Sequence, residues 1–257
     1  MILRAGHLFA WVAALFAGAV SAQDQVRSGF PILSAEYGDP TTRYDHGVLG
    51  DAAEWGSLIL EVDTCPECDV IKRGTVRITL PDTRVFEDIA PRVIDLGFQQ
   101  GKAVVVVESD LDQGARLAVY GPAGLIAATP FIGLRNRWLS PVGAADLDGD
   151  GAIEIAYIDR PHLAKRLRVW RFEDGTLRHV ADLDGLTNHR IGWDYIPGGI
   201  RDCGEGPEMI TASADWSRVM ATRLKSGALV KRGLGQYKNP ESLKTAMECR
   251  QVLRSVQ

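Results

Sequence analysis

One strand–turn–strand pattern returns four times along the chain, at spacings of roughly 44 to 54 residues, and this periodicity is the strongest limit on its fold. The pattern is plainest where Gly151 to Asp159 is followed by Leu167-Arg168-Val169-Trp170-Arg171-Phe172, the turn Glu173-Asp174-Gly175, and Leu177 to Leu183. Apolar and polar residues alternate there with the period of a strand. A copy upstream runs through Ala103–Glu108, Leu117–Tyr120, the turn Gly121-Pro122-Ala123-Gly124 and Leu125–Phe131. A copy downstream runs through Glu208–Thr211, Arg218–Leu224, the turn Lys225-Ser226-Gly227 and Ala228–Arg232, and the first copy holds Ser57–Val62 and Thr75–Leu80. A four-stranded unit of this size cannot bury both faces alone, so the copies must pack on one another. The expected fold is all-β, a β-propeller of about four to five four-stranded blades, with a β-sandwich carrying a long insertion as the competing arrangement. The stretch Phe30–Tyr44 is expected to supply a closing strand to the last blade. Pro240-Glu241-Ser242 opens a helix-like pattern through Leu243, Met247 and Leu253, so residues 239–257 are expected to form a short C-terminal helical tail.

The first residues look like an address. Arg4 precedes an apolar run from Leu8 to Val20 and then Val20-Ser21-Ala22, the features of a secretory signal cleaved after Ala22. The run is short against the roughly 20 apolar residues of a membrane span. Cleavage would leave residues 23–257 as a single exported domain, periplasmic or extracellular, with no membrane span. The full chain carries 29 basic and 33 acidic residues. That balance lacks the cationic excess that phosphate backbones select, so a nucleic-acid partner is not expected. All four cysteines, Cys65, Cys68, Cys203 and Cys249, lie after the signal, and an oxidising compartment favours two disulfides. Three pairings are possible; the simplest closes Cys65-Pro66-Glu67-Cys68 on itself and leaves Cys203 to Cys249. Asp63, Glu67 and Asp69 surround the Cys65–Cys68 motif, and negative charge disfavours a thiolate, so a structural clip is expected rather than a redox centre.

The strongest chemical signal is Asp146-Leu147-Asp148-Gly149-Asp150-Gly151-Ala152-Ile153-Glu154. It places carboxylates at positions 1, 3, 5 and 9 and a backbone carbonyl, that of Ala152, at position 7. Hard oxygens spaced two apart around turn-forming glycines are what Ca²⁺ requires. An EF-hand would need an acid at position 12, which is Tyr157, and a helix where Ile155–Asp159 reads as strand. The expectation is one structural Ca²⁺ held between two strands by Asp146, Asp148, Asp150, Ala152 and Glu154.

Residues 142–157, Val-Gly-Ala-Ala-Asp-Leu-Asp-Gly-Asp-Gly-Ala-Ile-Glu-Ile-Ala-Tyr, resemble the FG-GAP (VCBS-type) repeat of integrin-like β-propellers. The resemblance implies a Ca²⁺ loop joining the first two strands of a blade. Members of that family usually carry Asp at the ninth position, where this chain has Glu154. The other copies keep the architecture and have lost the ligands.

If that loop joins the first two strands, the blade-to-blade connections and the second-to-third-strand loops project from the opposite end. They carry Arg135-Asn136-Arg137-Trp138, Arg160-Pro161-His162 and Asn188-His189-Arg190 with Trp193 nearby. Converging loops on a rigid scaffold are common binding sites. Arg135, Arg137, Trp138, His162, Asn188, His189 and Arg190 are the candidate ligand residues, suited to an anionic or sugar-like ligand by hydrogen bonding and stacking. The bland reading has Trp138 and Trp193 as packing and the arginines as caps on carbonyls. Nucleophile-elbow, phosphate-loop, zinc-protease and dinucleotide signatures are absent from the sequence. The favoured function is therefore a non-enzymatic module binding a protein or carbohydrate. The alternative is a hydrolase or lyase acting on an anionic or glycosidic substrate through Arg137, His162 and His189.

Overall fold

The computed structural model describes residues 29–50, 52–97 and 101–250; the expected signal at 1–22 and the tail beyond Arg250 lie outside the described residues. Among the described residues, seventeen strands and one helix form an all-β arrangement of antiparallel sheets. The first sheet has eight strands: β1 (Ile32–Thr41), β2 (Glu54–Asp63), β3 (Arg73–Thr79), β4 (Arg84–Phe86), β5 (Arg92–Asp95), β6 (Lys102–Asp110), β7 (Gly114–Gly121) and β8 (Gly124–Ala128). Within it β1-β2-β3 and β5-β6-β7-β8 are separate meanders, joined where the short β4 pairs with both β2 and β6. The second sheet is the four-stranded meander β9 (Leu139–Ala145), β10 (Ile153–Asp159), β11 (Arg166–Glu173) and β12 (Thr176–Asp184). The third consists of β13 (Leu186–Thr187), β14 (Gly199–Asp202), β15 (Pro207–Ser213), β16 (Arg218–Lys225) and β17 (Ala228–Gln236).

Burial explains which strands alternate and which do not. In β3 the exposed Arg73, Thr75, Arg77 and Thr79 alternate with half-buried residues, because one face meets solvent. In β6 the run Ala103–Val107 is buried throughout, because it has a core on each side. Val104 and Val106 pack with Leu58 and Leu60 of the first meander and with Phe86 of β4. Ala103, Val105 and Val107 pack with Ile155 and Tyr157 of the second sheet and with Trp138 of the β8–β9 connection. The second sheet turns Ala156, Ile158, Leu167 and Val169 toward Met209 and Leu224 of the third. Apolar layers and sheets thus succeed one another in chain order.

Turn chemistry supports this meander repeatedly. The two-residue hairpin turns Asp174-Gly175 and Ser226-Gly227 have positive φ at both positions (50° and 71°, 50° and 77°), the backbone twist that matches right-handed strand twist. The ladder between third and fourth meander strands slips once in each case, at Val119/Tyr120, Val169/Trp170 and Val219/Met220, positions 50 residues apart in sequence. Bulges of this kind bend and twist an edge strand.

Two sequence expectations change. Ile32–Thr41 pairs along its length with β2 rather than joining the last sheet, since the local β1–β2 connection makes the neighbouring strand the nearest partner. The tail helix α1 is Pro240–Met247, started by Asn239 with Pro240 in its first turn, and Cys249 lies beyond its C-cap at positive φ (59°). Leu243 and Ala246 of α1 are buried against Ile210, Val219 and Ala221 of the third sheet. The cysteines pair as Cys65–Cys68 and Cys203–Cys249, with Cα separations of 5.4 and 5.7 Å.

Candidate functional site

The acidic loop connects β9 to β10, the first two strands of the second sheet. Asp146 organises it: Oδ1 accepts the N–H groups of Gly149 (2.7 Å) and Asp150 (3.1 Å), and Oδ2 accepts that of Gly151 (2.9 Å). Asp150 Oδ1 accepts the N–H of Ala152 at 2.9 Å. Glu154 is buried at the start of β10, and its Oε2 accepts the Leu147 N–H at 2.8 Å. Burial pushes the Glu154 carboxyl above its ordinary pKa, although the Leu147 N–H and Arg171 pull it the other way.

Oxygen atoms of Asp146, Asp148 and Glu154 lie within 4.8 Å of one another, a span that one cation with ligands at about 2.3–2.6 Å can bridge. Asp150 is not part of that triad. Its second oxygen turns to Arg171 of β11, whose guanidinium reaches Asp150 (2.6 Å), Asp148 (2.7 Å) and Glu154 (2.5 Å) together. Arg171 is the residue that sequence reasoning missed. Its signal is a cross-strand one, since Glu154 and Arg171 are register partners. The third sheet has a parallel arrangement, with Glu208 on Arg223 at 2.9 Å. There Asp202 Oδ1 accepts the N–H groups of Gly204 and Gly206, and Cys203 carries the disulfide in the corresponding β14–β15 loop.

At another site, loops from separate sheets meet around a cavity of about 210 Å³. His46 from the β1–β2 connection, Asn136, Arg137 and Trp138 from β8–β9, Arg160, His162 and Leu163 from β10–β11, and Ile191 after β13 line it. The seven predicted ligand residues divide. Arg137, Trp138 and His162 line the cavity. Arg135 pairs with exposed Asp45 at 2.9 Å. Asn188 is buried and donates to the Pro141 carbonyl, a packing role. Arg190 lies over the Trp216 ring, 4.6 Å from its centroid, within an aromatic group containing Trp193.

His189 sits behind His162. Its Nε2 is 2.9 Å from the Trp193 carbonyl, and its Nδ1 is 3.1 Å from His162 Nε2. A carbonyl only accepts, so His189 Nε2 carries the proton, Nδ1 accepts, and His162 Nε2 donates to it. His162 Nδ1 is then an acceptor. Burial pushes the His162 pKa down to about 4, with the nearby histidines acting in the same direction, and burial lowers that of His189 as well. The pair is therefore neutral at pH 7. Trp138 stacks on His162 at 13° between planes and meets His189 edge-on.

His46 was also missed by the sequence reading. Its Nδ1 lies 2.5 Å from Oε1 of Glu87, a fully buried carboxylate whose other oxygen accepts the Ser109 hydroxyl and whose backbone carbonyl accepts Trp138 Nε1–H at 2.8 Å. Burial raises the Glu87 pKa against the opposing pull of His46. No linear spacing relates residues 46, 87 and 109.

In comparisons with known proteins, the chain matches no family model and no curated protein. No helix among the described residues is long and apolar enough to cross a membrane.

Proposed function

We propose that the chain is an exported binding module of the FG-GAP type, an open row of blade-like β meanders that presents a ligand pocket at its loop end. The observation that carries this reading is the meeting of loops from separate sheets around one cavity lined by Arg137, Trp138 and His162. A rigid β scaffold with converging loops is a common way to build such a site. The meanders with bulges at a 50-residue interval support a repeated blade. Two disulfides fit an oxidising, exported environment. The partner class is a protein or a carbohydrate.

In this reading Ca²⁺ is structural. Asp146, Asp148 and Glu154 would hold it, and it would supply positive charge that ties β9 to β10. The hard-oxygen donor set fits the ion, while Arg171 competes for two of the three carboxylates. Thermal unfolding with Ca²⁺ and with chelator tests this part: calcium is expected to raise the midpoint, and an unchanged midpoint overturns it. A glycan-binding screen of wild type and Arg137→Ala tests the pocket. Binding lost in a folded variant is expected; binding that survives unchanged removes the pocket from the proposal.

The second reading, a hydrolase or lyase using Arg137, His162 and His189, draws on the neutral His162 with its free acceptor nitrogen. His189 supports His162 from behind in that scheme, because both of its ring nitrogens are engaged. Turnover of chromogenic glycosides that disappears in His162→Asn would favour it.

A further inference from the structure

We infer that the loop-end pocket takes a small hydroxylated organic anion of the sugar-acid kind, its carboxylate held by Arg137 and one of its hydroxyls donated to His162. The inference rests on the pocket being the ligand site and goes on to name the ligand's chemistry.

The charge comes first. Among the described residues, no Asp or Glu lines the cavity. Of its two arginines, Arg160 is already paired with both oxygens of Asp159, at 2.8 and 3.0 Å. Arg137 spends one nitrogen on the Asn136 carbonyl and has no carboxylate partner among the described residues. A half-buried guanidinium facing a cavity is a ready partner for a carboxylate, which it can meet with two parallel N–H bonds.

His46 also faces the cavity, its Nδ1 engaged by Glu87. Nε2 has no protein partner among the described residues, and the ring lines the cavity. His162 contributes the polarity opposite to that of Arg137. The Trp193 carbonyl fixes both tautomers in the His162–His189 pair and leaves His162 Nδ1 as an acceptor, which suits a hydroxyl and not a carboxylate. Leu163 and Ile191 supply apolar wall for a carbon framework. At about 210 Å³ the cavity lies below the roughly 300–1,000 Å³ of clefts that hold drug-sized ligands, so a single ring is the appropriate size.

Titration calorimetry of the full chain with three probes tests the inference. Galacturonate carries charge and hydroxyls, galactose lacks the charge, and cyclohexanecarboxylate lacks the hydroxyls. Galacturonate is expected to bind at least about tenfold more tightly than either of the others, the worth of one charged hydrogen bond. Arg137→Gln should weaken galacturonate by about tenfold or more and leave galactose unchanged, with far-UV circular dichroism confirming the fold. His162→Phe should weaken galacturonate and leave cyclohexanecarboxylate unchanged. Should Arg137→Gln fail to fold, the wild type still decides, because galacturonate affinity must fall with added salt while galactose affinity does not. Equal affinity for galactose and galacturonate overturns the anion inference and leaves the pocket reading standing. Galacturonate binding that both variants retain at full strength places the ligand elsewhere and overturns both. The absence of galacturonate binding at millimolar concentration overturns the inference, and the glycan screen then decides the pocket reading by itself.

Discussion

Several buried carboxylates in this protein are each held by arginines from neighbouring strands. Glu208, almost fully buried, meets Arg201, Arg223 and Arg232 at 2.9, 2.9 and 2.6 Å, and Glu108 meets Arg84, Arg116 and the Tyr120 hydroxyl. Removing Glu208 leaves Arg201, itself nearly buried, without a carboxylate partner among the described residues. Glu208→Ala is expected to cost about 3–5 kcal/mol, read from urea unfolding. His162 gives a pH signature. The unfolded imidazole takes up a proton near 6.5, whereas the folded ring resists protonation until about 4. Between these values the unfolded chain binds more protons, so this residue makes stability fall as pH drops from 6.5 to 4. The drop in unfolding midpoint across that window is expected to be smaller in His162→Asn than in wild type. These residue-scale contacts were the least legible part of the sequence. Arg171 reads there as an outward strand residue, and His46 and Glu87 read as isolated polar positions.

Strands and turns were far more legible. Period-2 alternation located β11, β12 and β16, and the Asp174-Gly175 and Ser226-Gly227 turns were visible as glycine-marked breaks. Short pieces such as β4 and β13 were missed, because two or three residues cannot show a period and are held by pairing with distant strands. At the acidic loop, spacing identified the carboxylates while the β10–β11 register supplied their counter-charge. A direct consequence concerns Arg171→Gln. Without calcium the variant should lose about 3–5 kcal/mol, since Glu154 is buried and loses its cation. With calcium it should recover, and its calcium-dependent rise in midpoint should exceed that of wild type. Asp148→Asn is expected to abolish the rise. Scanning calorimetry with and without chelator reads all three.

At the scale of the molecule, the layers form a series rather than a single centre. Among the described residues, the third sheet's outer side is covered by α1, and the first meander's outer side carries the ion pairs Glu61–Arg73 and Asp39–Arg77. A helix at one end and charge at the other end protect the terminal layers, as capping repeats do in stacked folds. The Cys203–Cys249 link spans 46 residues and holds α1 in place, so the chain-entropy estimate for its removal is about 4 kcal/mol. Cys203→Ser with Cys249→Ser should leave the β signal in far-UV circular dichroism intact and speed proteolysis around residues 238–250. The sequence by itself determined the all-β class, the main strands with their glycine turns and the acidic loop, because alternation, glycine turns and carboxylate spacing are local properties. Only the tertiary structure decided which strand Ile32–Thr41 joins, that Arg171 enters the acidic loop, and that His46 meets His162 and Arg137 at one cavity. Those depend on register and layer packing between segments tens of residues apart, where small differences in burial and pairing choose among arrangements that the linear pattern leaves equivalent.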